Sequence, residues 1–218
     1  VGPRRTLRRD QKSHLFHQKI LQTRSRIMTM NIPTVDHYFA DGDGVAILTT
    51  KDLFLGRRTV LFCVPGAFES VSSTQLLGFE AAYADLTDNN VDQVLCVSVN
   101  DGWVMDAWGE SLGIENVQLV PDGNGYFTQG LKAVVANENT GRGLRSWRIA
   151  FVINENGIVE WAGVEEGQRA NASDSPYEET TPSKVIEALK ELNANNDAAE
   201  GADTDILTQL AAAGISPQ

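Results

Sequence analysis

Two cysteines in 218 residues are too few for a disulfide framework. Cys63 and Cys96 both lie inside apolar runs, which fits a reducing compartment such as the cytoplasm. The three histidines, His14, His17 and His37, all precede the first long apolar run. No histidine downstream could therefore serve a serine nucleophile as base. His14 and His17 lack the acidic or cysteine companions of a metal site, and no metal or cofactor is expected. No stretch approaches the roughly 18 apolar residues needed to cross a bilayer. The glycines of "DGNG" and "GRG" do not follow the strand–glycine–helix order of a phosphate cradle, so both read as loops. No internal repeat appears.

Positive charge is missing from most of the chain. Formal charge is −11 overall, yet residues 1–27 hold eight Lys and Arg against one acid, Asp10. That stretch is +7 and the remainder −18. An acidic body excludes nucleic acid as the main partner, because phosphate binding needs a cationic face. The basic start is not followed by the apolar core of a secretion signal. Residues 1–30 are read as an extension outside the fold. They suit either a transit peptide or a stretch translated ahead of Met28 or Met30.

What is present is a packed α/β pattern, with 42% apolar residues. Residues 31–55 read as an irregular lead-in with a turn at "ADGDG" and a short helical turn, "TKDLFLG". "TVLFCV" (59–64) is an unbroken apolar run, the mark of a strand covered on both faces. Leu76, Phe79, Tyr83 and Leu86 predict one helical stripe over 72–89. "VDQVLCVSV" (91–99) is a second buried strand, and strand–helix–strand of this length implies parallel pairing. Asp101 should cap a helix that Gly113 closes. "NVQLVPD" is a third strand, and 126–135 is expected to be helical. "SWRIAFVI" and "IVEWAGVE" flank Asn156-Gly157, a hairpin signal. Thr181-Pro182 opens a helix bearing Val185, Ile186, Leu189 and Leu192. A polar linker and a short terminal helix are expected from 194 to 218. The order predicts a thioredoxin-like α/β fold, a central mixed sheet flanked by helices, over 31–193.

Four stretches, "FCVPGAF", "LCVSVNDGWVMDAW", "LVPDGNGYFTQG" and "GLRSWRIAFVINENGIVE", occur in an order that resembles the peroxiredoxins. The similarity is nearest to the bacterial type-five group, some members of which are fused to a glutaredoxin. The family motif is a proline, three residues, Thr or Ser, two residues and a peroxidatic cysteine, completed by an arginine from a later strand. The resemblance places the proline at Pro65 and the arginine at Arg148. It puts Glu69 at the threonine position, Ser70 at a position that is proline in most relatives, and Ser72 at the cysteine position.

These departures have chemical consequences. In the family a thiolate at a helix start attacks peroxide and becomes a sulfenic acid. A serine oxygen has no such oxidation step, so Ser72 cannot carry that reaction. Ser70 or Ser72 reads instead as a helix cap. Glu69 is expected either to pair with Arg148 in place of the missing thiolate or to face solvent. Cys63 is expected in the core, with a displaced nucleophilic role as the alternative, and Cys96 is expected in the core. At least two of the four tryptophans should be core residues, and others could lie at a dimer contact. The expectation is a binding or regulatory relative without thiol-peroxidase turnover, pairing as a homodimer. The alternative is a peroxidase of hydrogen or alkyl peroxides, with Ser72 a trap substitution for cysteine. Such an enzyme would be served by a thioredoxin, glutaredoxin or glutathione system.

Overall fold

The structure, a computed structural model, describes residues 31–196. The expected basic extension, and the terminal helix and most of the linker, lie outside the described residues.

The central strand β3 is Thr59–Val64, and all six of its residues are buried. A strand that shows apolar side chains on both faces must sit inside a sheet and be covered on both sides. Its neighbours are β4 (Gln93–Ser98), parallel, and β8 (Ile149–Ile153), antiparallel. β5 (Gln118–Pro121) pairs parallel with β4, and β9 (Val159–Val164) pairs antiparallel with β8. The five-stranded order is β5-β4-β3-β8-β9, the mixed sheet that the pattern predicts.

Between β3 and β4 the chain is helical twice. α2 spans Ser70–Ala81 and α3 spans Tyr83–Thr87, with the break at Ala82 (φ −90°, ψ 4°). A single helix over 72–89 is therefore corrected to two. The stripe itself holds for Leu76, Phe79 and Leu86, which are fully buried against the sheet, with Tyr83 half-buried. Phe79 stacks on Phe62 of β3 at 4.1 Å between centroids. Each such apolar side chain contributes about 1.5–3 kcal/mol on burial. α4 (Gly102–Leu112) begins where Asp101 accepts from the Val104 N–H and ends at Gly113 in the left-handed region, as expected. Trp108 and Trp147 are buried, whereas Trp103 is half exposed.

Two hairpins depart from the expectations. The lead-in is not irregular: β1 (Asp36–Asp41) and β2 (Gly44–Thr49) pair antiparallel around Gly42. The short α1 (Thr50–Phe54) follows, capped reciprocally by Thr49 and Asp52. The segment 126–135 is helical only in α5 (Tyr126–Gly130); β6 (Val134–Asn137) then pairs with β7 (Gly143–Ser146). The Asn156-Gly157 turn does join β8 to β9, but only Gly157 has positive φ. A last helix, α6, covers residues 182–196 and seats Val185 and Leu189 in the core. It runs three residues into the stretch expected to be linker. No helix among the described residues is long and apolar enough to cross a membrane.

Candidate functional site

The site forms where β3 gives way to α2. Pro65 ends the strand, and the loop turns through Phe68, which adopts φ +63° and is 59% exposed. A bulky residue in that region costs on the order of 1–3 kcal/mol, a strain the surroundings must hold. Asn100 helps: its Oδ1 accepts from the Ala67 N–H at 3.1 Å and from Ser98 Oγ–H at 2.8 Å. The chain then enters α2 with Glu69 as its N-cap.

Glu69 Oε2 is the hub. It accepts from the Ser72 N–H at 2.7 Å and from the Ser72 hydroxyl at 2.5 Å. Arg148 Nη2 donates to the same oxygen at 3.3 Å. A carboxylate at a helix start also meets the positive end of the helix dipole. Burial opposes ionisation of Glu69, but the Ser72 hydrogen bonds and the Arg148 charge outweigh it and hold the carboxyl below the ordinary glutamate range. Ser72 itself is fully buried. The helix cap is therefore Glu69, not either serine.

Arg148 is 1% exposed and every donor nitrogen is engaged. Nε donates to the Pro176 carbonyl at 3.0 Å, Nη1 to Gln75 Oε1 at 2.6 Å, and Nη2 also to Ser175 Oγ at 2.7 Å. Tyr177 lies under the guanidinium at 5.7 Å. Burial pulls the Arg148 pKa down, and Glu69, Glu165 and Tyr177 push back.

Sequence reasoning missed the partners beyond Glu69. Gln75 is fully buried on α2 and donates to the carbonyl and hydroxyl of Thr180. Glu165 is buried too, and it collects the N–H groups of Glu178, Glu179 and Thr180 and the Thr180 hydroxyl. The loop after β9 is thereby folded over Arg148. A Gln beside Leu76 in the apolar stripe was the one available signal. The loop residues carry no periodicity that could have revealed them.

A cavity of about 170 Å³ opens beside these groups, lined by Pro65, Glu69, Asn137, Arg142, Arg148 and Ser175 among others. Cys63 and Cys96 are free thiols with no exposure. Burial, with the nearby charge of Asp122, pushes the Cys63 thiol far up, and burial does the same to Cys96. No cluster of His, Cys, Asp and Glu suited to a metal ion occurs among the described residues.

A mixed five-stranded sheet with a polar pocket at the start of the helix after its central strand defines a thioredoxin-like α/β domain. The Redoxin family model matches residues 30–180, and the chain belongs to that family, among the peroxiredoxins. A peroxiredoxin of Rhizobium etli is 48% identical over 143 residues, covering 65% of this chain and 79% of the relative. The hybrid peroxiredoxin hyPrx5 of Haemophilus influenzae is 37% identical, covering 72% of this chain and 61% of its own length. A chloroplastic peroxiredoxin of Arabidopsis thaliana is 39% identical over 127 residues, covering 56% and 54%. Among solved structures, Prx3 of Vibrio vulnificus in complex with hydrogen peroxide superposes with a TM-score of 0.66 at 32% identity, covering 74% of this chain and 97% of that one. The 1-Cys peroxiredoxin of Plasmodium falciparum gives 0.69 at 28% identity, covering 75% and 99%.

Proposed function

We propose that this chain is a peroxiredoxin-family protein without thiol-peroxidase turnover, acting as a binding or regulatory relative that pairs with itself. The observation that carries the reading is the Glu69 hub. Ser72 Oγ spends its proton on Glu69 Oε2 at 2.5 Å, and Arg148 spends its charge on the same oxygen. In the family, by resemblance, that arginine serves a thiolate and its peroxide. Here a side chain of the protein holds the place of both.

Cys63 offers no substitute. A nucleophilic thiol needs access and a lowered pKa, and Cys63 is wholly buried with its pKa raised. The domain we assign spans 31–193, and the compartment is the cytoplasm, where two buried reduced thiols persist. The chloroplastic plant relative leaves a transit role for residues 1–27 as the competing reading.

The test is peroxide consumption by the purified chain with dithiothreitol, thioredoxin or glutathione systems. Consumption should match the uncatalysed rate and stay unchanged on Cys63→Ser. Rapid, saturable consumption would overturn the reading, and its loss on Cys63→Ser would name the displaced sulfur. Rebuilding the family motif with Ser72→Cys, Glu69→Thr and Ser70→Pro together should restore part of the activity, because Pro65 and Arg148 already line one cavity.

A further inference from the structure

A second cationic pocket lies apart from the Glu69 hub. Arg145 projects from β7, one residue before the buried Ser146. Its Nη1 donates to the Val99 carbonyl at the end of β4. Its Nε is shielded from solvent and has no acceptor, and Nη2 has no hydrogen-bond partner among the described residues. No carboxylate there forms an ion pair with it either. Burial lowers its pKa, and the like charge of Arg142 lowers it further. Arg58, Arg148 and Arg169 each hold an acid within 3.3 Å. Arg57 and Arg142 hold none either but are exposed; Arg145 is a half-buried guanidinium, in a strongly acidic protein, with its charge unanswered among the described residues.

Arg145 lines a cavity of about 360 Å³, a size in the range of small-molecule sites. Asn124 and Gln129 also line it, and neither side-chain amide makes a hydrogen bond within the described protein. Val99, Val134 and Leu144 supply an apolar wall, and Leu144 is 62% exposed. With Nε shielded and Nη1 held by Val99, Nη2 is the donor left for an anion, and a guanidinium favours a carboxylate. The apolar wall asks for a short hydrocarbon body behind that anion.

We propose that this pocket binds a small organic carboxylate, its head on Arg145 and its aliphatic tail against Val99, Val134 and Leu144. The site uses no atom of the Glu69 hub, so it stands whether or not the chain turns over peroxide. A carboxylate there would answer the Arg145 charge without displacing any internal contact.

Hexanoate is the probe and 1-hexanol, with the same tail and no charge, its control. Titrated into the full chain at low salt and followed by backbone amide NMR, hexanoate should give saturable shifts centred on residues 123–125, 134 and 144–145. 1-Hexanol should bind at least tenfold more weakly. Arg145→Gln should abolish the hexanoate shifts. Leu144→Ala, an exposed position that leaves the fold intact, should weaken binding severalfold, and it decides the matter if Arg145→Gln does not fold. The proposal is overturned by no saturable response to tens of millimolar hexanoate, by an equal response from 1-hexanol, by shifts centred on Glu69 and Arg148, or by undiminished binding in the variants.

Discussion

Glu69 does three jobs at one oxygen: it caps α2, accepts the Ser72 hydroxyl and balances Arg148. Glu69→Gln keeps the shape and removes the charge, so it should lay bare the third job. Removing one partner of a fully buried ion pair costs about 3–5 kcal/mol. Glu69 keeps 19% side-chain exposure, so about 2 kcal/mol is expected, or a fall in Tm of about 5 °C for a domain this size. Ser72→Ala deletes one hydroxyl donor and leaves the cap and ion pair, so about 1 kcal/mol is expected. The pH dependence follows from the lowered Glu69 pKa. A carboxyl held below its unfolded value contributes stability that is fully present above that value. The contribution is lost as pH falls through the folded value. Denaturant unfolding of the wild type from pH 7 down to pH 3 should therefore lose stability more steeply than Glu69→Gln. His37 acts in a higher window. It is 1% exposed, donates from Nδ1 to the Pro121 carbonyl at 3.1 Å, and leaves Nε2 buried without a partner. Burial lowers its pKa, although Pro121, Asp122 and Asp36 pull it upward. The unfolded chain thus binds the proton first, and stability should fall from about pH 6.5 downward. His37→Phe should remove that part of the slope, leaving the carboxylate part below pH 5 in place.

Elements meet most tightly where β1 crosses the start of α4. A Cβ on Gly102 would lie 2.3 Å from the Ala40 nitrogen and 2.9 Å from the Phe39 carbonyl carbon. Both are backbone atoms and cannot swing away. Gly102→Ala should therefore push the hairpin off the helix and cost about 3 kcal/mol, at the upper end for overpacking. Unfolding midpoints would measure it, and an unchanged midpoint would mean the hairpin shifts freely. This hairpin was invisible in the sequence for the same reason that it tolerates exposure. Val45, Ile47 and Leu48 of β2 are all more than a third exposed, so "GVAILT" carries no alternation that a buried face would impose. β3, β4 and β8 were legible because double-sided burial demands unbroken apolar runs. β6 and β7 are four residues each, too short to show a period, and the helix expected over 126–135 ran into the first two residues of β6. The site was legible to the same degree. Pro65, Glu69, Ser72 and Arg148 sit in α2 or beside the ends of β3, α2 and β8, and the spacing of the family motif placed them. Ser175, Pro176 and Tyr177 come from an irregular loop held by Glu165, a long-range contact with no local sequence cause.

At the scale of the whole molecule, the boundary of the folding unit differs from the extent of the family likeness. The Redoxin match stops at residue 180. The core does not: Val185 and Leu189 of α6 are fully buried in the main cluster with Phe79, Val94 and Val152. Thr180, the last matched residue, is itself fixed to Glu165 and Gln75. Those contacts close the loop over Arg148. Removing α6 would expose the sheet face beneath it and free one end of that loop. The loss of two buried aliphatic side chains alone is worth about 4–10 kcal/mol, comparable to the total stability of a domain. A chain ending at residue 181 should therefore fail to give a cooperative unfolding transition. A chain of residues 31–196 should unfold cooperatively within a few degrees of the full protein. Calorimetry on the two truncations decides it. A cooperative transition in the shorter chain would mean that α6 only decorates the sheet, and that the Glu69–Arg148 hub is held from the α2 side alone.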